Sequence, residues 1–210
     1  MSDSDPLRNW PHRVLAVFFS PGSLFEQLRH KPAWGGPAFL VVVLGLLTDT
    51  VLVMEYVNYL RDIGQELRST ASPYVLVVGG TLIRTGIICA TAGFMFFVFG
   101  TLLGDNGRYE QYLSVTVHAF IVTTIGSLLS ALLNSSLGFA LRARGFLPFP
   151  DDGFLGSLLS RLDNPFTFWT VVLAALGASK IHPNRSWRSA LAVLVVGWIV
   201  FAAGIEVAPL

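Results

Sequence analysis

The apolar stretches of this 210-residue chain decide its fold class before any motif is considered. About five of them are long enough, as helices, to cross a hydrocarbon core of roughly 30 Å, and together they make up most of the sequence. They fall at roughly 33–54, 74–103, 112–133, 165–179 and 189–207. A strand reading fails, because the runs are too long and do not alternate, whereas a helix satisfies every backbone group within its own segment. Charged residues make up 13% and hydrophobic ones 53% of the chain, where a soluble domain carries about 25% charged residues. Such a chain cannot cover a water-facing surface. The expected fold is all-α: a polytopic membrane protein with a bundle of five transmembrane helices over 14–210, short interfacial amphipathic helices, and a polar N-terminal tail over 1–13. The second stretch is longer than a crossing needs, which points to tilt or a protruding turn.

Two segments outside these stretches also read as helical. In SPGSLFEQLRHKP, Ser20 can cap a helix, Pro21 suits its first turn and Pro32 ends it. Leu24, Phe25 and Leu28 then share one face, with Glu26, Gln27 and Arg29 displaced from it. This predicts a helix lying on the membrane surface, in preference to one packed on the loops. The connection 139–164 carries Phe146, Phe149 and Phe154, then Leu155, Leu158, Leu159 and Leu162 at helical spacing. That pattern suits an amphipathic helix at the opposite interface or a cap over the bundle. The earlier run VLAVFF is short and follows polar residues, so no cleavable signal peptide is expected.

Basic residues set the orientation. With the N-terminus inside, the cytoplasmic parts hold Arg8, Arg13, Arg29, Lys31, Arg108, Lys180, Arg185 and Arg188, against Arg61, Arg68, Arg142, Arg144 and Arg161 outside. The bias predicts a cytoplasmic N-terminus and an external C-terminus.

Ionisable side chains within the apolar stretches cost several kcal/mol each, so each needs an account. They are Asp49, Arg84, His118 and Glu206, with Glu55 at a helix end. Asp49 and Arg84 both fall in the outer half of the membrane, which predicts a neutralising pair with Glu55 or Glu206 as the substitute carboxylate. Such a cluster either holds helices in register or lines a path for protons or solutes, and the structural role is favoured. His118 has no obvious partner at its own depth and reads as a hydrogen-bonded core histidine near Thr116, Thr123 and Thr124.

Other function classes find little support. A net charge of +1 without basic-aromatic tracts gives nucleic acid no foothold. The only cysteine, Cys89, sits in an apolar stretch, where packing is its expected role. The four histidines are scattered, without His-Glu-x-x-His or Cys-x-x-Cys spacing, so no metal or cofactor is expected. No Gly-x-Ser-x-Gly or Gly-x-x-x-x-Gly-Lys motif suggests a catalytic residue, and no internal repeat suggests a duplicated transporter. Gly79 and Gly80 relieve crowding in this reading, and Gly86, Ala90, Gly100 and Gly104 serve close packing within one bundle.

Three stretches in order resemble the Yip family, membrane proteins named for interaction with Ypt/Rab GTPases, and in particular its short prokaryotic members. They are FFSPGSLFEQLRHKPAW, an aromatic-Ser-Pro turn with a short amphipathic helix; LLGDNGRYEQYLSVTVHAF, a Gly-rich turn between the second and third spans; and NPFTFWTVVLAALGASKIH with WRSALAVLVVGWIV, a last helical pair. The resemblance covers nearly the whole chain. It implies five transmembrane helices, a cytosolic N-terminus and no catalytic centre. The Asp-Leu-Tyr-Gly motif of the eukaryotic, Rab-binding members does not occur in this sequence, so no Rab partner is carried over. His118 also stands where an aromatic is common in the family. The expectation is a non-enzymatic protein of a bacterial plasma membrane that organises lipids or partners. Membrane lipids are its expected partners, with a membrane-protein partner or a second copy of the chain left open. The alternative is a small transporter or channel with a polar path lined by Asp49, Arg84 and His118.

Overall fold

The computed structural model describes residues 10–62, 64, 72–137, 165–182 and 184–207, with 10, 72, 134–137 and 201–207 described by backbone alone. All regular structure among them is helical: α1 (Trp10–Phe19), α2 (Pro21–His30), α3 (Gly35–Asp62), α4 (Ser72–Met95), α5 (Tyr109–Leu137), α6 (Pro165–Ile181) and α7 (Trp187–Val207). The amphipathic segment expected within 139–164 lies outside the described residues.

Helix α1 begins at Trp10, inside the stretch expected as a polar tail, and takes in the VLAVFF run. Ala16 and Val17 are buried while Leu15 and Phe19 are exposed, so the run packs one face on the bundle and turns the other outward. Pro21 in the first turn starts α2, and Lys31, one residue before Pro32, ends it. Ser20 stands at the cap position but makes no side-chain capping bond; Ser23 Oγ instead donates to the Ser20 carbonyl at 2.9 Å. The apolar face of α2 is not turned to lipid as its pattern suggested. Leu24, Phe25 and Leu28 are fully buried against α5 and α6, because these packing partners outcompete the membrane surface for the same face.

Among the described residues, three helices are long and apolar enough to cross a membrane: Gly35–Asp62, Pro73–Leu102 and Tyr109–Leu133; the apolar helices Pro165–Ile181 and Trp187–Val200 are shorter. Helix α4 runs on as a π-helical segment, Phe96–Leu102, and the chain then turns at Gly104, whose φ of 72° favours glycine. The widened turns carry Leu103 N–H to the Val98 carbonyl and Asp105 N–H to the Phe99 carbonyl.

Helix α5 is central, in contact with α3, α4 and α6 and with both short helices, whereas α7 packs chiefly on α6. Water does not drive helices together inside a lipid phase, so close approach and interhelical hydrogen bonds must do so. The core accordingly mixes small and polar residues: Ala119, Ala175, Ala178, Ser114, Thr116 and Thr170 are buried, while Phe39, Val75, Ile83 and Val200 face outward. Gly177 admits Val115 of α5, whose methyl carbon would stand 2.3 Å from an added Cβ. Thr123 and Thr170 share a hydrogen bond between α5 and α6, and Thr170 Oγ1 also reaches the Ala119 carbonyl at 3.2 Å. Partly exposed Trp34, Tyr109 and Trp187 mark the end where α3, α5 and α7 begin, and Tyr56, Tyr59, Tyr74 and Trp169 mark the other. Amphipathic aromatic rings favour the membrane–water boundary.

Candidate functional site

Among the described residues two buried ion pairs stand out, one midway along α3 and α4 and the other in the connections at the end where α5 and α7 begin. The first joins α3 to α4. Arg84 Nη2 donates to Asp49 Oδ1 at 2.9 Å and Nη1 to Oδ2 at 3.2 Å, while Thr81 Oγ1 donates to Oδ2 at 2.9 Å. Neither side chain is open to the surroundings, with 11% of Asp49 and 23% of Arg84 exposed. Two glycines seat the pair. A Cβ at Gly45 would stand 2.3 Å from Arg84 Nη1, and one at Gly80 would stand 3.1 Å from Asp49 Oδ2. Each charge thus lies in a notch on the opposing helix, held by a bidentate geometry in which the attraction and the hydrogen bonds offset the cost of leaving water.

The other residues expected near this pair do not join it. Glu55 is half-buried further along α3 and forms no ion pair or hydrogen bond among the described residues. Glu206 lies on α7 where only the backbone is described. His118 is fully buried on α5, where its Nδ1 lies 2.7 Å from the Ser114 carbonyl. A carbonyl only accepts, so Nδ1 carries the proton and Nε2 holds a lone pair. Nε2 and Ser114 Oγ have no hydrogen-bond partner among the described residues. The threonines near His118 in sequence bond elsewhere: Thr116 to the Tyr112 carbonyl, Thr123 to Thr170 and Thr124 to the Phe120 carbonyl.

The second pair was not anticipated, because both partners lie in connections where charges are ordinarily solvated. Asp105, in the turn after α4, accepts from Arg185 Nε and Nη2, both at 2.8 Å, and its side chain is 1% exposed. His182 Nδ1 stands 3.6 Å from the same carboxylate. The guanidinium lies 5.2 Å from the centre of the Phe99 ring, and Phe99 stacks on Tyr112. The two hydrogen bonds that Arg185 donates to Asp105 raise the Arg185 pKa above its ordinary value, so this cation stays charged. The sequence signal was the short Gly104-Asp105 turn facing an Arg185 that closes an equally short α6–α7 connection. The second pair ties these connections together, and α2 is fastened at the same end: Gln111 Nε2 donates to the Arg29 carbonyl, and Glu26 meets Lys180 at 3.7 Å.

The remaining sequence candidates carry no chemistry here. Cys89 faces out of the bundle and is not a packing residue, and an added Cβ at Gly86 would meet nothing within 4 Å. Gly86 and Ala90 are exposed and so do not serve helix contacts within this chain. Among the described residues, no group of His, Cys, Asp or Glu could hold a metal ion.

Long apolar helices cemented by buried polar pairs define an integral membrane protein of the all-helical class. A model of the Yip1 domain matches residues 15–208, and the chain belongs to that family. It is similar to "Membrane protein YknW" of Bacillus subtilis (strain 168), with 24% identity over 196 residues that cover 85% of this chain and 83% of the relative. No solved structure matches.

Proposed function

We propose that the chain is a non-enzymatic membrane scaffold of the Yip type that crosses a bacterial plasma membrane with all five helices α3–α7, keeps its N-terminus in the cytoplasm and its C-terminus outside, and organises lipids or membrane-protein partners. The observation that carries the scaffold role is the closure of the Asp49–Arg84 pair. Its carboxylate is occupied by Arg84 and Thr81, and both charges are seated in glycine notches rather than presented to a path. His118, which a proton relay through Asp49 and Arg84 would need, is hydrogen-bonded to the Ser114 carbonyl within α5 and to neither member of the pair. The aromatic residues at both ends of the bundle support five crossings.

The test is reconstitution of the wild type and of the Asp49→Leu/Arg84→Met variant in vesicles enclosing a pH-sensitive dye, with solute uptake followed in parallel. A scaffold gives no flux above that of protein-free vesicles, and the double variant folds with near-wild-type stability, because good apolar packing commonly replaces a buried pair without loss. Wild-type flux that the folded double variant lacks would establish a transporter instead.

A further inference from the structure

Resting on this membrane reading, we propose that the face between α4 and α7 is a binding site for an anionic phospholipid, with its phosphate in a polar cleft at the basic end of the bundle and one acyl chain in the apolar groove beyond it. The groove, about 490 Å³, is lined by Phe94 of α4 and by Ala192, Val193, Val196, Gly197 and Val200 of α7. The cleft, about 330 Å³, lies between the end of α4 and the start of α7, lined by Leu103, Asp105, His182, Asn184, Arg185 and Ser186 among others. Both volumes suit a ligand of lipid size.

The two openings share one face. Ser186, Ser189, Val193, Val196 and Val200 follow one stripe at helical spacing along α7. The contacts Asp105–Arg185 and Phe94–Gly197 also share one antiparallel register, which places the groove about 16 Å from the cleft towards the membrane centre. Gly197 admits the Phe94 ring, whose nearest atom would stand 2.6 Å from an added Cβ, so α4 and α7 touch there and the groove has a floor. A polar cleft and an apolar groove on one face, about 16 Å apart, match the build of a lipid rather than that of a soluble ion or a wholly apolar helix.

The cleft selects charge. Arg185 spends Nε and Nη2 on Asp105, which cancels that carboxylate, and its Nη1 has no acceptor among the described residues. Ser186 Oγ accepts from Ser189 N–H, which leaves its own hydroxyl hydrogen to donate, and Asn184 is exposed beside it. Around this end Arg29, Lys31, Arg108, Lys180 and Arg188 outnumber Glu26 and Glu110. A phosphate oxygen meets donors and a positive surround, and a net anionic headgroup gains over a zwitterionic one.

The full chain is reconstituted in phosphatidylcholine vesicles with a trace of phosphatidylglycerol bearing a diazirine on one acyl chain, and labelled peptides are mapped by mass spectrometry after illumination. Label should concentrate on peptides carrying Phe94 and Val196 and exceed that from a phosphatidylcholine probe with the same chain. Asn184→Ala/Ser186→Ala should weaken capture of the anionic probe about tenfold and bring the two probes level. Val196→Trp, at a position 60% exposed, should fill the groove and abolish its label, whereas Ile83→Trp, on another outward face, should leave it unchanged. Label spread evenly over the outward faces of α3 and α4 would overturn the site, as would a groove that takes no label because a second copy covers it. Either failure leaves the scaffold reading standing, whereas flux in the vesicle assay would end that reading without touching this site.

Discussion

Gly45→Ala should destabilise the protein although alanine is the better helix former. The added Cβ falls 2.3 Å from Arg84 Nη1 and 3.4 Å from Cζ. Ordinary contact needs roughly 3.5 Å, so the guanidinium must retreat by about 1 Å. The Nη1–Oδ2 bond, already 3.2 Å, then passes out of hydrogen-bond range, while Nη2–Oδ1 at 2.9 Å can persist. One hydrogen bond between charged groups is worth about 1.5–3 kcal/mol, and alanine returns about 1 kcal/mol of helix propensity, so the net loss is about 0.5–2 kcal/mol. Two other glycines calibrate this. Gly80→Ala places its Cβ 3.1 Å from Asp49 Oδ2, needs a shift of a few tenths of an ångström and should change stability little; Gly86→Ala meets nothing within 4 Å. The latter should gain about 0.5–1 kcal/mol. Thermal unfolding in detergent, followed by tryptophan fluorescence, should rank Gly86→Ala above wild type, Gly80→Ala near it and Gly45→Ala below. In the Asp49→Leu/Arg84→Met background, Gly45→Ala should change sign and become stabilising, because nothing charged then fills the notch. If Gly45→Ala in the wild type stabilises as much as Gly86→Ala does, the guanidinium is not seated on α3 and the account of the pair is wrong.

The second pair should be at least as sensitive. Asp105→Ala strands Arg185 and should cost about 3–5 kcal/mol in the same unfolding assay. Because the folded-state pKa of Arg185 is raised, its contribution is complete below the ordinary arginine value and lost only as pH rises beyond it, so stability from this residue should be flat between pH 7 and 10. Arg185→Lys gives up the bidentate fork and should fall below wild type at every pH in that range. His118→Leu removes a ring nitrogen without a described partner and should be neutral or stabilising by about 1 kcal/mol; a large loss of stability would mean that Nε2 has an essential partner. Phe25→Ala should cost about 3–5 kcal/mol because the ring is buried in the bundle, and a negligible effect would return α2 to the lipid surface. Single cysteines introduced near Arg13 and, at the exposed position 188, near Arg185 in a Cys89→Ala background should react with an impermeant reagent only from the cytoplasmic side, and one near Asp151 only from the other; the reverse pattern would invert the proposed topology.

What could be read from the sequence follows physical range. Helices in the apolar stretches were legible because length and hydropathy are local, and Asp49 and Arg84 stood out because charges are rare in such stretches. The direction in which α2 turns its apolar face was not legible: Leu24, Phe25 and Leu28 suit a lipid surface and a helix surface equally, and only the presence of α5 and α6 decides. Asp105 and Arg185 lie eighty positions apart in connections, and their burial depends on how α4 ends. That ending is a π-helical segment whose widened turns set the position of Asp105, and composition carries no mark of it. Cys89 suits packing because it sits in an apolar stretch, and Gly86 because it is small, but apolar and small residues are equally acceptable to lipid.

Helix α6 gives the bundle two unequal heights. It has 17 residues, with Phe168 and Trp169 exposed near its start and Lys180 near its end, whereas α3 has 28. At 1.5 Å per residue α6 spans about 25 Å, short of a hydrocarbon core of roughly 30 Å, whereas the apolar part of α3, residues 35–54, spans about 30 Å before its polar end. Under the proposed five crossings, the bilayer thins beside α6 but not beside α3, and the resulting elastic stress is carried in the lipid around the protein. That stress differs from one side of the molecule to the other. On that reading the protein has a lateral polarity in the plane of the membrane, by which lipid thickness alone, without direct contact, would bias how copies approach one another.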